Sequence, residues 1–130
     1  MGSDSNILKR IYRCAKAYEA EWIVRVWGDC PLLEPDSINT MLHRAIIKNQ
    51  GYTYNSGSKG KTVSIFPFRA LDILNNCLNK HERYRYNEID EHSVWRTYFG
   101  NIKVEQPDDG IDYSVDTQED LDRIRELWAK

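Results

Sequence analysis

Apolar residues along the chain fall into two alternating rhythms. Ile7, Leu8, Ile11, Cys14, Ala15 and Tyr18 recur at helical spacing behind the cap-forming residues Asp4-Ser5-Asn6, which predicts a helix with one buried stripe. Trp22-Ile23-Val24-Arg25-Val26-Trp27 is a short β-branched and aromatic run that stops at Gly28-Asp29, as a buried strand ending in a turn does. Pro35 suits the first turn of a second helix, with Ile38, Met41, Leu42, Ala45 and Ile46 as its stripe. Tyr52-Thr53-Tyr54 and Thr62 to Phe66 read as strands, separated by Asn55-Ser56-Gly57-Ser58-Lys59-Gly60-Lys61, a basic loop expected to be flexible. Phe68, Leu71, Leu74, Cys77 and Leu78 mark a third helix, and a fourth is expected over Glu88 to Tyr98. Ile102 to Glu105 and Tyr113 to Val115 read as short strands flanking the turn Pro107-Asp108-Asp109-Gly110. Thr117 with Asp120 has the form of a capping box, ahead of a last helix faced by Leu121, Ile124, Leu127 and Trp128.

Helices alternating with strands make the class α/β, and the alternation predicts a mainly parallel sheet. The chain has 130 residues, enough for one core, and no repeat or linker divides it, so residues 1–130 are read as a single domain. A net charge of −2 gives no electrostatic footprint for nucleic acid or an anionic membrane. No apolar run approaches the roughly 20 residues of a membrane span, and the polar, then amphipathic, start is unlike a signal peptide. Cys14, Cys30 and Cys77 are odd in number and far apart, which suits reduced thiols in a cytoplasmic protein.

Two stretches could carry chemistry. Arg25-Val26-Trp27-Gly28-Asp29-Cys30-Pro31-Leu32 places a carboxylate after a glycine at a strand's carboxyl end, where open α/β sheets bind ligands. Tyr113-Ser114-Val115-Asp116-Thr117 places another at a strand end, before a helix. Each aspartate alone is a common turn or N-cap residue. Converging, Asp29 and Asp116 could hold Mg²⁺, which takes hard oxygen ligands and neutralises phosphate charge in nucleotidyl transfer.

Taken in order, Gly2-Ser3-Asp4 before Ile7-Leu8, Arg25-x-x-Gly28-Asp29-Cys30-Pro31-Leu32, Glu91-His92 and Ser114-Val115-Asp116-Thr117-x-Glu119-Asp120-Leu121 form a pattern. It resembles the spore-coat-polysaccharide type of cytidylyltransferases, relatives of enzymes that make CMP-linked acidic sugars. The resemblance spans nearly all of the chain but matches only the later part of a family member. It implies a Rossmann-like nucleotidyltransferase sheet, CTP as nucleotide, Mg²⁺ as cofactor, and a sugar or sugar acid as acceptor. Asp29 and Asp116 would be metal ligands, and Arg25 would lie beside the nucleotide. Lys59, Lys61, Glu91 and His92 would face the acceptor.

There are departures as well. The family's leading strand and glycine-rich loop with Arg and Lys, which cradle the CTP phosphates, have no counterpart in these residues. The expectation is therefore a sheet truncated on its N-terminal side and little transfer activity in this chain alone. Trp27 stands where the family has a small hydroxyl residue, and Thr62 and Ser64 where it has acidic ones. A non-catalytic sugar- or nucleotide-binding or assembly domain is the alternative. Without a neighbouring strand, Trp22–Trp27 is expected at a sheet edge, apolar on both faces and prone to pair with a second copy in a homodimer.

Overall fold

A computed structural model describes residues 7–79, 101–106 and 108–129. The described elements are α1 (Ile7–Ala17), β1 (Trp22–Val26), α2 (Pro35–Lys48), β2 (Tyr52–Asn55), β3 (Val63–Pro67), α3 (Phe68–Asn79), β4 (Asn101–Val104) and α4 (Gln118–Ala129). The helix expected over Glu88 to Tyr98 lies outside the described residues.

The four strands form one sheet in the order β1-β3-β2-β4, with β1 outermost as expected. The sheet is mixed, which corrects the expectation of mainly parallel pairing. β3 runs antiparallel to both β1 and β2, and only β2 and β4 are parallel. The reason is legible in the loop length. Only residues 56–62 separate β2 from β3, and a parallel return needs a crossover of roughly a dozen residues or more.

Helices cover both faces, because side chains alternate along each strand. On one face Phe66 and Tyr52 pack with Leu8 and Ala15 of α1 and Ala70, Leu71 and Leu74 of α3. On the other, Val63 and Ile65 pack with Met41 and Ala45 of α2, and Trp22 and Val24 lean on that cluster. β3 is buried at every position, as befits a central strand covered on both faces.

Several stripe positions differ from the sequence reading. Tyr18 is 83% exposed, because α1 ends at Ala17 and Glu19 takes a left-handed φ of 52°. Cys14 is also exposed. In α2 the buried ridge is Met41 and Ala45, and Ile46, one position round the helix, is 48% exposed.

The expected strand Tyr113–Val115 is not a strand. Its amides bond two different loops: Tyr113 N–H donates to the Lys59 carbonyl and Val115 N–H to the Asp29 carbonyl, each at 2.8 Å. A segment that splits its bonds in this way makes no ladder.

The capping box is present. Asp120 N–H donates to Thr117 Oγ1 at 3.2 Å, and Thr117 N–H donates to Asp120 Oδ2 at 3.1 Å. Two orphan amides at the start of α4 are thereby satisfied.

Candidate functional site

The pairing register brings the chemistry to one end of the sheet. Val26, the last residue of β1, pairs with Val63, the first of β3, and Asn55, the last of β2, pairs with Val104, the last of β4. Thr53 and Tyr54 of β2 pair with Ile65 and Ser64 of β3, so the β2–β3 turn lies at that end too. The loops leaving this end are residues 27–34, 56–62 and 105–117, and they carry Asp29, Lys59, Lys61 and Asp116.

These three loops are tied to one another. The extended segment Tyr113–Val115 is bonded to the Lys59 loop at one end and the Asp29 loop at the other. Asn55 holds the second loop closed, its amide donating to the Lys61 carbonyl at 2.7 Å while its Oδ1 accepts from Val63 N–H at 2.8 Å. Gly60, with φ of 85°, packs directly on the Tyr113–Ser114 peptide. The loop expected to be flexible is therefore pinned, with Ser58 and Gly60 buried.

The two aspartates are brought to the same place. The Asp29 carbonyl accepts from the residue that precedes Asp116. Both carboxylates also act on the buried Cys30 thiol, whose Sγ donates to Asp29 Oδ1 at 3.5 Å. Burial pushes the Cys30 thiol up, the Asp29 hydrogen bond adds to that, and the charges of Asp29 and Asp116 add further. Asp116 is exposed, and its backbone amide donates to Asp120 Oδ2 at 3.0 Å, so the capping box also fixes Asp116 in place.

The lysines are engaged within the chain. Lys59 pairs with Asp112 at 3.1 Å, and that carboxylate raises its pKa. Lys61 pairs with Glu34 at 3.0 Å and lies 4.2 Å above the Tyr113 ring. Arg25, on β1 opposite Ser64, stacks its guanidinium 4.2 Å over Trp27. Trp27 thus serves as a platform for the arginine beside the aspartate turn. Glu91 and His92 lie outside the described residues.

The sequence reading gave Asp109 only a turn and Asp120 only a cap, and it did not single out Asp112. Asp112 is held down to about 2, chiefly by the Ser114 hydroxyl and amide, with Lys59 adding less. Asp109 is held at about 2, chiefly by the Tyr113 hydroxyl. Asp120 is held at about 2, chiefly by Arg123, whose guanidinium lies 2.9 Å from it and also bonds the carbonyls of Asp112 and Ser114. The signal available was the cluster of Asp108, Asp109 and Asp112 around Gly110, which favours turns in which each side chain caps a downstream amide. Asp108, Asp109 and Asp112 each do so, to Gly110, Ile111 and Ser114.

Among the described residues no group of three His, Cys, Asp or Glu could enclose a metal ion. Asp29 and Asp116 therefore do not form an all-protein cage. As a donor set they fit Mg²⁺, which is bound through one or two carboxylates and completes its shell with water and substrate phosphates. Neither carboxylate is neutralised by a salt bridge among the described residues.

Two solved structures share this fold. A cytidylyltransferase from Leptospira borgpetersenii superposes with a TM-score of 0.69 at 22% identity, over 98% of this chain and 57% of that one. Molybdopterin-guanine dinucleotide biosynthesis protein A from Archaeoglobus fulgidus gives 0.64 at 14% identity, over 95% and 63%. The fold is of the nucleotidyltransferase type.

Sequence comparison agrees with this fold. The chain is 25% identical over 134 aligned residues to an uncharacterized protein of Methanocaldococcus jannaschii, covering 97% of this chain and 54% of the relative. It is 22% identical to spore coat polysaccharide biosynthesis protein SpsF of Bacillus subtilis, covering 99% and 56%. No family model matches. The chain thus has a nucleotidyltransferase-like fold, and it spans a little over half the length of the curated relatives it matches. No helix of the described residues is long and apolar enough to cross a membrane.

Proposed function

We propose that the chain carries the metal- and acceptor-side half of a cytidylyltransferase that transfers CMP from CTP to a sugar or sugar acid for a surface polysaccharide. The observation that carries this reading is the junction of the two aspartate turns, where Val115 N–H bonds the Asp29 carbonyl at 2.8 Å and both carboxylates bear on one thiol. Turns that hold two unneutralised carboxylates together, at the strand-end mouth of a nucleotidyltransferase fold, suit a divalent cation shared with phosphate. Mg²⁺ bound there would neutralise phosphate charge and favour departure of pyrophosphate.

The chain's own groups have separate tasks. Asp29 and Asp116 would hold the ion, and the Thr117–Asp120 box fixes the Asp116 backbone. Arg25, stacked on Trp27, would lie beside the nucleotide or support its loop. Lys59 would offer a cation toward the acceptor side once its pair with Asp112 exchanges, while Lys61 stays with Glu34 and the Tyr113 ring. These same pairs favour a second reading, in which the domain binds nucleotide or sugar without transferring anything.

Calorimetric titration with CTP, CMP and GTP, with and without Mg²⁺, tests the first reading. Mg²⁺-dependent binding that prefers cytidine and is lost in both Asp29→Asn and Asp116→Asn is expected. Binding that ignores the metal, or survives both substitutions, sinks it. Pyrophosphate release from CTP in the presence of sugar phosphates separates transfer from binding alone.

A further inference from the structure

Beside the aspartate turns, the same end of the sheet holds a cavity of about 590 Å³ between the start of α2, the β2–β3 loop and the segment after β4. Its inner wall is apolar, formed by Met41, Val63 and Val104. Its charged lining is Glu34, Asp36, Glu105 and Asp109 against Lys61. Lys103 Nζ, outside the lining, lies 3.9 Å from Glu105, so the local net is two negative charges, with Lys61 the one ammonium of the lining. The ammonium is spent: it pairs with Glu34 at 3.0 Å and rests on Tyr113. Asp109 is ionised at any working pH, its carboxyl held at about 2. Among the described residues, Asp36 accepts at its main-chain carbonyl, from Thr40 Oγ1 at 2.9 Å, and its carboxylate makes no salt bridge.

Polar positions in this cavity are fixed beforehand. The Gln106 side chain accepts from Asn55 Nδ2 at 2.8 Å and donates to Ser37 Oγ, so its amide is oriented and the Ser37 hydroxyl keeps its own proton to donate. An apolar wall with oriented amides and hydroxyls at the rim matches a sugar ring, which has a C–H face and an edge of hydroxyls. The excess of carboxylates decides between sugars. A negative cavity raises the local concentration of cations and repels anions.

We propose that this cavity seats the ring of an uncharged or amino-bearing sugar, and that its carboxylates disfavour a sugar acid. The proposal deepens the nucleotidyltransferase reading and rests on it for the cavity's role as acceptor site. It narrows the acceptor: of the sugars and sugar acids that reading allows, the acids are the poorer fit. The carboxylates accept hydrogen bonds from ring hydroxyls or an ammonium, whereas a bound carboxylate would have to lie beside Glu34 or Asp36 with Lys61 already committed.

The test is titration of the 130-residue chain with D-glucosamine, D-glucose and D-glucuronate by ligand-observed NMR, at low salt and about pH 6.5, where carboxylates are ionised. Glucosamine is expected to bind best and glucuronate worst. Exposed charge pairs are worth little, so each step should be about two- to fivefold, and added NaCl should narrow it. Asp36→Asn, a surface change that leaves the core intact, should shrink the glucosamine advantage. Glucuronate binding as well as or better than glucose, or no binding by any of the three, overturns the proposal. Asp29→Asn keeps the two ideas apart. That variant should lose CTP binding and keep the sugar order. In the unsubstituted chain, absent CTP binding with the order retained sinks only the nucleotide reading, and CTP binding with the order reversed sinks only this one.

Discussion

Gly60 lies so close to Ser114 that a Cβ added at position 60 would stand 2.2 Å from the Ser114 amide nitrogen and 2.3 Å from the Tyr113 carbonyl carbon. Both neighbours are main chain, held by Tyr113 N–H to Lys59 O and Val115 N–H to Asp29 O, so neither can turn aside. The φ of 85° adds a second penalty for any side chain. Gly60→Ala is expected to cost roughly 2–4 kcal/mol, from strain and overpacking together. Gly60→Asn should do no better, although Asn tolerates positive φ. Gly110 is the control, with φ of 76° and open space around it, so Gly110→Asn should be nearly neutral. Urea melts of the three variants check this, and equal losses at both glycines would show that φ alone matters.

Acid should loosen the aspartate-rich end before the rest. Asp109, Asp112 and Asp120 each sit at about 2 against an ordinary 3.8. A carboxyl whose folded pKa is depressed stabilises the fold above its unfolded pKa and loses that contribution as pH falls through the folded one. Stability should therefore be flat above about pH 4 as far as these groups are concerned, then fall between about pH 4 and 2. Denaturant midpoints across that window measure it. Asp112→Asn should flatten the slope in part, since Ser114 and Lys59 then have no ionised partner.

The cysteines should differ in reactivity. Cys14 is exposed, whereas Cys30 is buried with its thiol pushed up by burial and by Asp29. Thiolate is the reactive form, so iodoacetamide at neutral pH should mark Cys14 well before Cys30, as peptide mass spectrometry would show. Cys30→Ser should leave the rate at Cys14 unchanged. Faster labelling of Cys30 would mean that the aspartate turn opens in solution.

Self-association is expected through β1. This strand is outermost in the described sheet, its apolar residues are only half-buried, and Val26 is 47% exposed. An apolar outer strand of this kind favours pairing with a second copy. Light scattering at micromolar concentration should report a dimer, and Val24→Lys should shift it toward monomer. A monomeric wild-type chain sets the idea aside.

Much of the architecture could be read from periodicity, because the central positions of most helix stripes and strand runs answer to burial on a layered sheet. Tyr18, Ile46 and Trp128, at stripe ends, are exposed. Trp22–Val26, Pro35–Lys48 and Gln118–Ala129 lie where spacing and caps put them, within a residue or two. Strand direction was harder to read: alternation of helices and strands suggested parallel pairing, while the short loop before Val63 forces a hairpin. Asp29 and Asp116 stood out because each follows a distinctive run at an element boundary. The pairs Lys59–Asp112 and Lys61–Glu34 did not, since exposed charges far apart in sequence leave no local pattern. The cavity was equally invisible, being assembled from three separate loops.

The side chain of Asn55 has a consequence for the order in which the protein is made. It joins its own loop to Gln106, 51 residues downstream, and β4 must already lie beside β2 for that bond to form. On the ribosome, α1, the β1–β3 pair and α2 can collapse as soon as Pro67 has emerged, with Asp29 in its turn. Asp116 and the wall that Gln106 gives the cavity arrive only with the last quarter of the chain. A ribosome paused before residue 101 would display a half-built mouth with one aspartate and no partner, so this mouth is completed only after β4 and the segment behind it have emerged.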